Sequence, residues 1–321
     1  MPPLRLSVIL PTFNRSDCLP AAIDALLGQG AESCAYEVIV VDNNSTDQTR
    51  AILASRVDPR LRVVEEARQG LSFARNAGLA VARGELVAFT DDDVEAAPDW
   101  VVRIVGAFEQ NAGIDGVGGR VLPVWSLPPP AWLTRDHWAP LALQDHGDVE
   151  RIFDASAPVG LVGANVAFRR EVFARVGQFS PHVQRVKDGI GSTEDHELLT
   201  RLYAAGGRML YVPRMLVRAR VQADRYTRGY HRRWYRGHGR FHAMMRAPEM
   251  ERSRMAILGV PSHLLRSAGR DAGRMAARLL SGDREGAFAA ELRLRFFQGF
   301  VESRLGLGSH GRRPEGWRAA A

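Results

Sequence analysis

The chain has 321 residues, 45% of them hydrophobic, and a formal net charge of +7. That composition fits one large folded domain, or a domain with an appendage, and excludes disordered and collagen-like classes. Two cysteines, Cys18 and Cys34, make neither a disulfide framework nor a cysteine-rich zinc site, and no apolar run approaches the ~18 residues of a membrane span.

The charge is unevenly spread. From Arg225 onward there are 20 arginines and 8 acids, whereas the residues before it hold 23 basic and 28 acidic groups. An acidic front and a basic tail call for different partners. The N-terminus runs into a strand without a charged-then-apolar leader, so the cytoplasm is the expected compartment.

Residues 4–10 read as a strand that ends in Pro11-Thr12-Phe13-Asn14-Arg15. Asp17 is a candidate cap for a helix to about residue 29. Residues 37–41 form a second strand, ending in Asp42-Asn43-Asn44-Ser45-Thr46-Asp47, where Ser45 or Thr46 can cap the next helix. Residues 61–64 are a third strand, residues 72–82 a helix, and residues 86–90 a fourth strand that runs straight into Asp91-Asp92-Asp93. Strand and helix alternate with short connections, which argues a doubly wound, mostly parallel α/β sheet. Ligands of such sheets sit at the carboxyl ends of the strands, where these three polar clusters converge. Three adjacent aspartates repel one another. They suit a hard cation such as Mg²⁺ or Mn²⁺ with phosphate in its shell, or, more plainly, an acidic turn before a helix. No Gly-x-Gly-x-x-Gly follows the first strand and no P-loop motif occurs, which disfavours dinucleotide and P-loop readings.

The runs 7–15, 37–47, 74–78 and 89–94, followed by Gly163-Ala-Asn-Val-Ala-Phe-Arg169 and Ser192-Thr-Glu-Asp-His-Glu-Leu198, resemble family 2 glycosyltransferases of the GT-A fold. The resemblance covers about the first two-thirds of the chain. It implies a GT-A domain over residues 1–224, divided into a nucleotide-sugar half (1–115) and an acceptor half (116–224). It further implies a nucleotide-diphosphate sugar donor, UDP by preference, and a saccharide or lipid-linked acceptor in envelope or exopolysaccharide synthesis. On the same basis Pro11, Thr12, Arg15 and Asp42 would line the nucleoside pocket, and Arg75 and Asn76 would lie near the diphosphate. Asp91 and Asp92 would serve ribose and metal, and Asp93 with Asp91 would hold Mn²⁺ or Mg²⁺. Asp195 would be the general base of an inverting reaction, with Glu194 as its neighbour; both fall in the first turn of a helix that Ser192 or Thr193 can cap. One departure stands out. Where family members carry a histidine in the strand after Tyr211-Val-Pro213, this chain has Ala219, flanked by Arg218 and Arg220.

Between these motifs, residues 99–110 read as an amphipathic helix with Val101, Ile104, Val105 and Phe108 inward. Residues 123–157 are a long Pro/Trp-rich excursion with Trp125, Trp132 and Trp138. It is read as packed structure in preference to a sugar-stacking lid.

Residues 225–321 form a basic, mainly helical extension with a disordered end. Arginine interleaved with aromatics over 230–239 has nothing beside it to support nucleic-acid binding. Arg266, Arg270, Arg274 and Arg278 recur at steps of four along one helix, a stripe suited to an anionic membrane surface or to solvent. The expected location is therefore the cytoplasm or the periphery of the inner membrane face. The alternatives are a polyprenyl-phosphate glycosyltransferase, whose acceptor needs no base, and a degenerate sugar-nucleotide-binding scaffold. A nucleotidyltransferase would need a Gly-rich phosphate loop that Pro11–Arg15 does not supply.

Overall fold

The computed structural model describes residues 4–31, 34–184, 190–191, 193–246, 250–253 and 255–307. Two expectations, capping by Ser192 and a disordered end beyond residue 307, lie outside the described residues. The chain forms two compact units: residues 1–128, 141–181 and 194–222, and residues 129–140, 182–193 and 223–321.

The first unit is α/β. Its four predicted strands are β1 (Leu6–Thr12), β2 (Tyr36–Asp42), β3 (Leu61–Glu65) and β4 (Leu86–Phe89). They alternate with α1 (Leu19–Leu27), α2 (Thr49–Ala54) and α3 (Leu71–Val81). β5 (Val94–Ala96), α4 (Trp100–Gln110), β6 (Gly116–Trp125), β7 (Arg151–Phe153), β8 (Val166–Arg169), α5 (Val172–Val176), α6 (Glu194–Ala204) and β9 (Met209–Val221) complete it. The sheet order is β3-β2-β1-β4-β8-β6-β9-β5, with β7 on β9. β1 to β4, β6 and β9 run one way and β5, β7 and β8 the other, so the sheet is mostly parallel. β1 and β2 are buried along their whole length, as apolar runs covered on both faces should be.

Two caps differ from expectation. α1 starts after Cys18 rather than Asp17, with a proline in its first turn. α2 starts at Thr49 because Ser45 and Thr46 are committed elsewhere. Ser45 Oγ accepts from the Asn14 amide at 3.0 Å, and the Thr46 amide donates to Asn14 Oδ1 at 2.7 Å. These bonds stitch the loop after β1 to the loop after β2. The amphipathic helix at 100–110 forms as read, with its four apolar residues buried.

α3 lies unusually close to the sheet. A Cβ at Gly78 would come within 2.6 Å of the Ile9 side chain. Glycine inside a helix costs about 1 kcal/mol against alanine, and here it lets the helix seat against β1.

The second unit holds α7 (Arg228–Met245), a hairpin of β10 (Ala256–Ile257) and β11 (Val260–Pro261), α8 (Ser262–Leu280) and α9 (Arg284–Arg304). Much of its positive charge is answered internally. Arg228 pairs with Glu285, Arg232 with Glu291, and both Arg236 and Arg240 with Glu302. The rising order of these partners shows that α7 and α9 run in the same direction. Their backbones touch where Gly239 faces Phe296 and Gly299 faces Arg236. Trp132, from the Pro/Trp-rich excursion, packs edge-on against His137, His231 and Phe288, which fits packed structure rather than a lid.

At Gly299 a Cβ would overlap the Arg236 carbonyl oxygen. Gly299→Ala should therefore lower stability by about 1–3 kcal/mol despite alanine's better helix propensity. Chemical denaturation of the two proteins measures this; an unchanged or raised midpoint would show that the helices have room to separate.

Candidate active site

The carboxyl ends of β1, β2 and β4 lie side by side, since Thr12 pairs with Asp42 and Ile9 with Phe89 across the parallel ladders. Their loops bring Thr12, Arg15, Asp42 and the Asp91–Asp93 run to one edge of the sheet. Arg15 reaches Asp92 at 3.7 Å and Asp93 at 3.9 Å. Asp92 is the most enclosed of the three aspartates. Burial raises its pKa to about 7, the charge of Asp93 adds to the rise, and Arg15 and the Thr12 hydroxyl oppose it. Asp91 and Asp93 keep more of their side chains open to solvent, 31% and 20%.

Arg75 is the hub. Its side chain is 1% exposed and meets Asp91 at 3.5 Å, Glu194 at 3.4 Å, and Asp195 in a direct hydrogen bond. One guanidinium thus joins the aspartates after β4 to the acids that open α6. Burial works against its charge, but Asp195, Asp91 and Glu194 outweigh it and hold the group protonated. The Phe179 ring lies 5.2 Å below the guanidinium. Asp195 also accepts from the Gly163 amide at 3.0 Å. Burial raises the Asp195 pKa to about 6; Arg75 resists, while Glu194 and Asp91 push the same way as burial.

The remaining candidates hold the site's frame. Asn76 exchanges two hydrogen bonds with the Phe179 backbone, at 2.9 and 3.0 Å, and so fixes the ring beneath Arg75. Both Asp42 oxygens are engaged, one by the Ser45 amide at 2.9 Å and one by Arg50 at 2.9 Å. Pro11 is a buried residue of β1 paired with Val41. The Thr193 hydroxyl, the alternative cap for α6, is buried and makes no hydrogen bond among the described residues. Ala219 pairs with Val94, and the Arg220 amide donates to the Asp93 carbonyl at 2.9 Å, so the position lacking a histidine adjoins the last aspartate. Arg220 itself pairs with Glu95. Arg15 is a cation within ion-pair reach of Asp93.

Two residues belong to the site that motif reading left without a role. Gly163 places its amide on Asp195, and any Cβ there would collide with that carboxylate. Asn165, fully buried, accepts from the Trp100 indole at 2.7 Å and donates to the Arg120 and Met215 carbonyls at 2.7 and 2.8 Å. Both stand in the Gly163–Arg169 run, which carried the only signal for them.

Among the described residues no three His, Cys, Asp or Glu side chains form a metal cluster. Mg²⁺ and Mn²⁺ take one or two protein carboxylates and complete their shell with phosphate and water. Asp91 and Asp93, hard oxygen donors partly open to solvent, fit that demand.

The family model for glycosyl transferase family 2 matches residues 7–177. The chain is 28% identical over 213 residues to a glucosyl-dolichyl phosphate glucuronosyltransferase of Haloferax volcanii, covering 65% of this chain and 66% of that protein. It is 29% identical over 226 residues to the succinoglycan biosynthesis protein ExoO of Rhizobium meliloti, covering 65% and 58%. The crystal structure of GalNAc-T7 with UDP, GalNAc and Mn²⁺ superposes with a TM-score of 0.55 at 16% identity, over 75% of this chain and 48% of that one; it shares the GT-A fold. The chain thus spans two-thirds or less of the length of these relatives.

Removing Arg75 strands three carboxylates. Arg75→Ala should cost about 3–5 kcal/mol, the usual penalty for breaking a buried ion pair, and Arg75→Lys should recover part of it. Thermal or urea unfolding reads the difference; equal stability of the alanine variant would contradict the hub.

Proposed function

The chain belongs to glycosyl transferase family 2, and from that premise we propose that it is an inverting glycosyltransferase acting on a nucleotide-diphosphate sugar. The observation that carries the reading is the Arg75 link between Asp91 and Asp195, since inverting transfer needs a leaving-group site and a base facing one reaction centre. The matched family segment ends at residue 177, before Asp195, so the base rests on this geometry and on the resemblance of the 192–198 run.

In this reading Thr12, Arg15 and Asp42 receive the nucleoside, with Arg50 yielding Asp42 to the base. UDP is the favoured nucleotide. Asp93 and Asp91 hold Mn²⁺ or Mg²⁺, which when bound neutralises charge on the departing diphosphate. Arg15 brings a second positive group to the same edge of the aspartates. Asp195 takes the acceptor hydroxyl proton as that oxygen attacks the anomeric carbon. Gly163 and Arg75 fix its orientation, and Glu194 keeps its proton affinity up. A carboxylate with a pKa near 6 is a better base than an ordinary aspartate and is still mostly ionised at neutral pH. The acceptor is a saccharide or a lipid-linked saccharide. A dolichyl phosphate derivative and an exopolysaccharide appear in the names of the two relatives, which supports that range.

The base is active when deprotonated, and its pKa is raised. The kcat/KM should therefore fall about tenfold per pH unit below about 6 and level off above it. Asp195→Asn should lower transfer about 10²–10⁴-fold with donor binding kept. Full transfer by that variant to a lipid phosphate would move the reading to a polyprenyl-phosphate transferase. Gly163→Ala should lower kcat by displacing the Asp195 carboxylate, and should lower the melting temperature less than Arg75→Ala does. A Gly163→Ala protein with normal turnover would show that the amide does not position Asp195.

A further inference from the structure

We propose that the β10–β11 turn and the outward face of α8 form a docking surface for an anionic bilayer. The hairpin joins Ile257 to Val260 through a two-residue turn, Leu258–Gly259, with φ of +51° and +75°. A turn with two positive φ angles favours Asn, Asp or Gly at its first position. Leucine there is strained by its side chain and leaves that side chain 77% exposed. Met255 and Ile257 beside it are 74% and 60% exposed. Three large apolar groups thus project from one short hairpin, against both turn preference and the tendency to bury apolar surface. Insertion among lipid chains would offset both costs.

The hairpin is tied to α8. The Ser262 amide donates to the Met255 carbonyl at 2.9 Å, and the Ser253 and Ser262 hydroxyls are 2.7 Å apart. One turn further on stand Arg266 and Arg270, exposed and on one stripe, while Leu264 and Leu265 pack toward Phe300. The four-arginine stripe is not uniform. Arg274 pairs with Asp271 and Arg278 with Asp283, but Arg266 and Arg270 make no ion pair among the described residues. At the far end of α8, Leu280 is exposed again and falls within about 40° of Arg266 around the helix. Apolar groups at both ends with unpaired arginines between them make an interfacial pattern, in which the apolar groups insert and the guanidinium groups meet lipid phosphates. A second copy fits less well, because a two-fold contact through this face would set Arg266 and Arg270 against their own counterparts. The surface lies within the second unit and does not depend on the transferase reading.

Flotation of the full chain with vesicles of phosphatidylcholine alone, or mixed with phosphatidylglycerol, tests it without any activity assay. Wild type should float with the anionic vesicles and not the neutral ones, and salt should release it. Leu258→Asn suits the turn, so its melting temperature should hold or rise while vesicle affinity falls about tenfold. Arg266→Gln and Arg270→Gln should each cost about fivefold. The proposal is overturned if wild type ignores anionic vesicles, or if Leu258→Asn binds them as well as wild type. It is equally overturned if wild type sediments as a dimer that Leu258→Asn dissolves, since the face would then be a contact between copies.

Discussion

A guanidinium buried among three carboxylates is the constraint on which the catalytic edge depends. Arg75 is too costly to bury alone, and Asp91, Glu194 and Asp195 are too mutually repulsive to gather without it. Each of its supports has a separate origin in the chain. Gly78 seats α3 against β1, Asn76 anchors the Phe179 backbone beneath the guanidinium, and the Gly163 amide holds the second oxygen of Asp195. Sequence-distant segments therefore meet at one side chain, where burial and the neighbouring acids raise the proton affinity of Asp195 and Arg75 restrains it. A network of this kind gives little net stability, but it sets where each acid points.

The first four strands, their order of alternation and the convergence of their carboxyl ends were legible in the sequence, because each buried parallel strand is a short apolar run closed by a polar cluster. Helix starts were less legible. Ser45 and Thr46 look like caps in isolation, yet Asn14, some thirty residues earlier, claims them. The same limit applies to Asn76 and Asp42. Both stand in motifs that resemble a ligand site, and both have their polar atoms taken by the protein's own backbone or by Arg50. Local reading cannot see a partner a hundred residues away, such as Phe179 for Asn76.

The basic tail shows the same lesson in its charges. Counted along the sequence, its arginines look unmatched. In the folded second unit, Glu285, Glu291 and Glu302 of α9 answer four arginines of α7, and Gly239 and Gly299 let the two backbones approach closely enough for those pairs to form. The uncompensated charge is thereby confined to a smaller set of groups, and the helical period that suggested one basic stripe on α8 divides into a paired half and an unpaired half.

The measurement that bears most directly on the account is a thermal-shift comparison of UDP, GDP, dTDP and CMP, each with and without Mn²⁺. Specific binding stabilises the folded state by mass action. The account predicts that one nucleoside diphosphate raises the melting temperature only when metal is present, and that Asp93→Ala removes the shift. A folded protein that no nucleotide stabilises, with metal or without, would contradict it and leave the aspartates after β4 as an acidic turn.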